Sequence, residues 1–189
     1  MAPQSLIEAG VDEAGRGALA GPVVAAAVVL PPDAELQLHG ITDSKLLSAP
    51  QREAARIRIT EVALAWSVGV VEVPRIDEIN ILRAALEAMA QAVASLTVTP
   101  QHLAVDGKQA PPVALPCTCV IKGDQRYLHI AAASILAKTH RDDLMRQLHQ
   151  QYPHYGWATH KGYPTRAHRE AIRQYGPCPQ HRLSFRLLG

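Results

Sequence analysis

Apolar positions change their period along the chain, and those changes divide it into elements. Val23 to Leu30 is an unbroken apolar run closed by Pro22 and Pro31, the pattern of a strand covered on both faces, and Leu6 to Val11 before it is a second short strand. Such runs fall far short of the roughly 18 apolar residues a membrane span needs. Ala49 to Ala63, with Pro50 near its start, predicts a helix, and the alternating, β-branched Ala65 to Val73 predicts a strand. Ile76, Ile79, Leu82, Leu86, Met89 and Val93 recur at helical spacing, which predicts one long amphipathic helix from Pro74 to Leu96. Two short strands ending near Asp106 and Ile121 follow, then a helix over Tyr127 to Gln151 and a short one over Thr165 to Tyr175. A strand pair followed by interleaved strands and helices predicts an α/β fold with a mixed sheet. Residues 1–158 form its main domain, and residues 159–189 a helical segment packed on it.

Composition adds a boundary and a hint. With 189 residues and 48% apolar positions, the chain can bury one sizeable core. Met1 to Leu6 lacks the basic and apolar regions of a signal peptide, so the default compartment is the cytoplasm. Three cysteines, two of them as Cys117-x-Cys119, make neither a disulfide framework nor a Cys-x-x-Cys pair, and are expected to be reduced and buried. The net charge of +2 hides an asymmetry: residues 1–119 carry 8 basic and 13 acidic side chains, residues 120–189 carry 11 and 4. A basic final third beside an acidic body suits a polyanionic partner, although solvated helix faces account for it equally well.

Three expected strands end in a carboxylate with glycine beside it or close after it: Val11-Asp12-Glu13-Ala14-Gly15, Val105-Asp106-Gly107 and Ile121-Lys122-Gly123-Asp124. Strand ends are where α/β sheets bind ligands, and four carboxylates brought together there repel one another unless divalent cations neutralise them. Oxygen donors without Cys or His favour Mg²⁺ or Mn²⁺ over zinc. Asp12 and Glu13 are neighbours, so both reach one site only if their strand ends there. Gly15-Arg16-Gly17 imitates a dinucleotide-binding turn, but Pro22 and the β-branched run after it predict a strand where that motif needs a helix. A glycine-flanked arginine fits close approach to a sugar-phosphate strand better.

The blocks Asp12-Glu13-Ala14-Gly15-Arg16-Gly17, Asp43-Ser44-Lys45, Val105-Asp106-Gly107, Gly123-Asp124, Ala131 to Lys138 and His160-Lys161-Gly162-Tyr163 resemble, in order, those of bacterial type-2 ribonuclease H. The resemblance implies a ribonuclease H-like mixed sheet flanked by helices, with residues 1–158 as the catalytic domain. It implies an endonuclease that cuts the RNA strand of RNA–DNA hybrids and ribonucleotides embedded in duplex DNA, leaving 5′-phosphate and 3′-hydroxyl ends. Asp12, Glu13, Asp106 and Asp124 would then be catalytic carboxylates and ligands of Mg²⁺ or Mn²⁺, with two ions during turnover. Gly15, Arg16 and Gly17 would read the ribose 2′-hydroxyl at a DNA–RNA junction, and Tyr163 would stack on the neighbouring deoxyribose.

Lys45 and Lys161 lead the candidates for phosphate contacts, ahead of Lys122, Arg126, Lys138 and Arg166. The small residues Ala131 to Ala137 suit close helix packing, and Ser134 among them is expected to bond a backbone carbonyl. Many relatives carry lysine where this chain has Arg126, which keeps the charge but is longer and planar. Two rival readings remain: a hybrid-binding module without catalysis, and a nuclease of the same fold acting on all-DNA junctions.

Overall fold

A computed structural model describes residues 6–42 and 44–189. β1 (Glu8–Ala14) and β2 (Val23–Val29) form an antiparallel hairpin, followed by the short α1 (Ala34–Gln37), α2 (Ala49–Val62) and β3 (Ala65–Val71). α3 (Val73–Ile79), α4 (Ile81–Ala94), β4 (His102–Asp106) and β5 (Cys117–Val120) come next. The long α5 (Leu128–Gln151), the single-turn α6 (Trp157–His160) and α7 (Arg166–Tyr175) complete the order. Among the described residues the sheet runs β3-β2-β1-β4-β5, antiparallel through the first three strands and parallel from β1 to β4 to β5.

Every residue of β2 is buried, as its unbroken apolar run requires. Its alternate side chains feed two cores. Val23, Ala25, Ala27 and Val29 face α4 with Val11 and Val105, whereas Ala26 and Val28 face α2 and α5. Helix α5 lies almost on the backbone of β1: a Cβ added to Gly10 would stand 2.2 Å from the His129 carbonyl carbon. A third core gathers Leu19, Ala20, Met145, Tyr155, Trp157 and Ile172, joining the loop after β1 to the far end of α5 and the C-terminal segment.

Three expectations need correction. The helix expected over Pro74 to Leu96 is two helices, because Asn80 adopts a left-handed φ of 71° and its side-chain oxygen caps α4 by accepting from the Leu82 and Arg83 N–H groups. The strand carrying Asp12 and Glu13 does not end there. Its ladder with β2 runs on to Ala14 opposite Val24, although pairing with β4 stops at Val11. The cysteines are free as expected but not buried: β5 is an edge strand, which leaves Cys119 exposed and Cys117 half-buried, and Cys178 is half-buried as well. No helix among the described residues is long and apolar enough to cross a membrane.

Candidate active site

Because β1 stays regular, Asp12 and Glu13 leave it on opposite faces. Asp12 turns toward α5, where it meets the Ser134 hydroxyl and accepts the Glu13 N–H at 2.7 Å. It is only 5% exposed, and burial, reinforced by the charges of Glu13 and Asp106, holds its pKa well above the ordinary carboxylate range. Glu13 is also raised, chiefly by burial, against the pull of the Arg16 guanidinium 3.2 Å away. Asp106, at the end of β4, accepts the Gly123 N–H at 2.7 Å, which pins the β4 end to the turn bearing the buried Asp124.

Glu13, Asp106 and Asp124 line one cavity of about 690 Å³, with Arg16, Lys45 and Lys122 on its rim and Leu82 and Met89 of α4 forming an apolar wall. Asp12 is not among the lining residues, but the charges of Glu13 and Asp106 act on it, so it stays within electrostatic reach of the cavity. Among the described residues, no three His, Cys, Asp or Glu side chains already stand as a metal-holding group. The donor set nevertheless fits a hard divalent cation. The lining offers carboxylate oxygens and no Cys or His, and the proton affinities of Asp12 and Glu13 are raised by burial, with an added contribution from the charge of Asp106 that a cation would relieve.

The glycine-flanked arginine sits beside this cavity. Gly15 has φ 96°, and a Cβ there would collide with the Arg141 side chain at 2.0 Å, so only glycine fits. Gly17 is exposed, with nothing within 4 Å of the position a Cβ would take. Arg141, from α5, also reaches across to Tyr163, whose half-buried ring lies 5.3 Å from the guanidinium carbon and 5.7 Å from the Lys138 ammonium. Lys161 and Tyr163 lie outside the cavity lining. Lys161 is held in a left-handed turn with its ammonium on the Ala158 carbonyl, and burial lowers its pKa.

The lining also includes Lys108 and Gln109, which sequence reasoning passed over although they directly follow Asp106-Gly107. Ser134 is not bonded to a carbonyl. It pairs with the Ser44 hydroxyl at 2.9 Å and with Asp12, because the α5 face that packs on β1 is also the face behind the carboxylates. Asp43, in the block before Lys45, lies outside the described residues.

The residue pattern of the family described as Ribonuclease HII matches residues 9–188. A ribonuclease HII of Bacteroides thetaiotaomicron is 57% identical over 187 residues, covering 98% of this chain and 92% of that protein. The crystal structure of ribonuclease H2 from Pyrococcus horikoshii OT3 superposes with a TM-score of 0.80 at 30% identity, covering 96% of this chain and 95% of that one. Bst-RNase HIII in complex with Mn²⁺ shares the fold at 21% identity, with a TM-score of 0.77 over 97% of this chain and 68% of that one.

Proposed function

We infer the chemistry from one premise: the chain belongs to the ribonuclease HII family and is a ribonuclease H. It hydrolyses the RNA strand of RNA–DNA hybrids. It also cuts at ribonucleotides embedded in duplex DNA, leaving 5′-phosphate and 3′-hydroxyl ends, and so serves to remove misincorporated ribonucleotides. The observation that carries this reading is the grouping of Glu13, Asp106 and Asp124 around one cavity, with Asp12 within electrostatic reach of it and Arg16 on the rim.

Asp12, Glu13, Asp106 and Asp124 are the residues that would hold Mg²⁺ or Mn²⁺, two ions during turnover. When bound, the ions would supply positive charge against the phosphodiester and activate water. The protein's own groups prepare that place. Gly123 N–H fixes one oxygen of Asp106, and the Ser134 hydroxyl and Glu13 N–H fix Asp12. Arg16 balances Glu13 and is half-exposed, so it can turn to an incoming phosphate.

The 2′-hydroxyl is what separates RNA from DNA, and Gly15, Arg16 and Gly17 offer a backbone surface to read it without reading a base. Tyr163 stacks on the adjacent deoxyribose, while Lys45 and Lys161 contact phosphates on either side. Arg126 serves as a charged neighbour of the strands rather than as a compact ammonium. Residues 1–158 act as the catalytic unit with 159–189 packed on it, in a cytoplasmic enzyme.

The test is digestion of an end-labelled duplex carrying one ribonucleotide. We expect a nick with Mg²⁺ or Mn²⁺, none with EDTA, and product ends of the stated chemistry. Binding without cutting would favour the silent module, and cutting of an all-DNA junction would overturn the role given to Gly15-Arg16-Gly17.

A further inference from the structure

Arg182 is fully buried, yet no carboxylate among the described residues lies within ion-pairing distance of it. Its guanidinium is spent on the loop after β1: Nε donates to the Gly21 carbonyl at 3.0 Å, Nη1 to Arg16 at 3.1 Å and Nη2 to Pro22 at 3.1 Å. The backbone joins in, with Arg182 N–H donating to the Leu19 carbonyl and Gly21 N–H to the Gln180 carbonyl, both at 2.8 Å. Burial, and then the charge of Arg141, lower the Arg182 pKa to about 9, so it remains charged at neutral pH. Burying that charge is costly unless its donors are filled, and here the filling groups are the inward-turned carbonyls of one loop.

One of these bonds has a geometric consequence. In a planar trans peptide the C=O and the next N–H point to opposite sides. With the Arg16 carbonyl drawn inward to Arg182, the Gly17 N–H is turned away from the interior, at a residue that is exposed and open around its Cα. We propose that Arg182 is a positioning residue for ribose recognition: it grips the Arg16 carbonyl from inside and thereby aims the Gly17 N–H at the sugar being read. This rests on the role proposed for Gly15-Arg16-Gly17.

Two further residues make the role testable. Ile59 of α2, fully buried in a core that includes none of residues 15–22, is the internal control. Half-buried Asp77 of α3 tethers the residues after Arg182, accepting from the Leu183 and Ser184 N–H groups at 2.9 and 3.0 Å.

The experiment compares Kd for a duplex with one ribonucleotide and for the matching all-DNA duplex, with Ca²⁺ in place of Mg²⁺, alongside nicking in Mg²⁺ and the melting temperature. The wild type should favour the ribonucleotide. Arg182→Lys, which keeps the charge but not the three-way planar fork, should lower that preference roughly tenfold while leaving all-DNA affinity unchanged. Ile59→Ala should lower the melting temperature without moving the preference. Asp77→Asn, a milder change, should lower the preference about threefold. An unmoved preference in folded Arg182→Lys, or an equal fall in Ile59→Ala, overturns the proposal. If Arg182→Lys does not fold, Asp77→Asn decides, and an unmoved preference there overturns it. A wild type that nicks the ribonucleotide duplex but binds both duplexes equally removes the role of the loop and the positioning role with it, while a wild type that cuts nothing removes the nuclease reading first.

Discussion

The carboxylates near the end of β1 and the guanidiniums beneath the following loop are both buried charges, and the fold gives them different partners. Arg141 and Arg182 each donate three bonds to backbone carbonyls, which offset a burial that lowers both pKa values. Burial works against the charges of Asp12 and Glu13 as well, and there the neighbouring charge of Asp106 adds to it. The first arrangement is complete without a partner and suits architecture. The second gains from an added cation and suits chemistry.

The sharpest way to break this contrast is Asp106→Asn. It should lower turnover of a ribonucleotide-containing duplex by more than about a hundredfold, since outer partners of metal ligands alone cost about 10- to 100-fold. It should barely change the melting temperature, because it also relieves repulsion on Asp12 and Glu13. A large loss of stability would place Asp106 with the architectural charges.

Arg141→Met tests the opposite side. Leaving the Ala20, Pro22 and Lys161 carbonyls unpaired should destabilise the protein by about 3 kcal/mol, read from urea unfolding. A change below about 1 kcal/mol would mean that water settles those carbonyls as well.

Between the extremes stand His168 and His181, both held near pKa 4, chiefly by burial, with Trp157 donating to His168 Nε2 at 2.9 Å. Their folded pKa values lie below the unfolded value near 6.5, so the contribution is full above pH 6.5. It is lost as the pH falls toward 4, because the unfolded chain takes up protons that the folded one refuses. Stability should fall by up to about 1.4 kcal/mol per pH unit for each histidine over that window, which urea midpoints between pH 7 and 4.5 would record. A flat profile would remove these residues from the neutral core.

The smallest effect expected is that of Ser134→Ala. It removes the hydroxyl shared by Ser44 and Asp12 and should cost about 1 kcal/mol of stability. Its loss of activity should be far below that of Asp106→Asn.

Much of this was readable from the chain. The fully buried β2, the long α5 and Asp106 at the end of β4 follow from periodicity and from glycine placement, which are local properties, whereas β1 runs past Asp12 and Glu13 to Ala14. The break at Asn80 did not follow, because apolar spacing continues across it and a left-handed asparagine leaves no hydrophobic trace. Ser134 is expected to bond a backbone carbonyl because a small polar residue in an alanine-rich stretch carries no sign of what lies opposite. Arg141 and Arg182 were invisible for a related reason. A charged residue reads as exposed, and only the tertiary fold brings carbonyls from residues 16–22 around them. They were also counted in the basic final third, although both are buried within the protein.

The grip of Arg182 on Arg16 spans 166 positions of sequence. At synthesis rates of roughly 5–20 residues per second, about ten to thirty seconds separate the appearance of the two partners. A nascent chain therefore carries Asp12, Glu13 and Asp106 well before the clasp on the adjoining turn can close, and that turn takes its final shape only once the C-terminal segment has emerged.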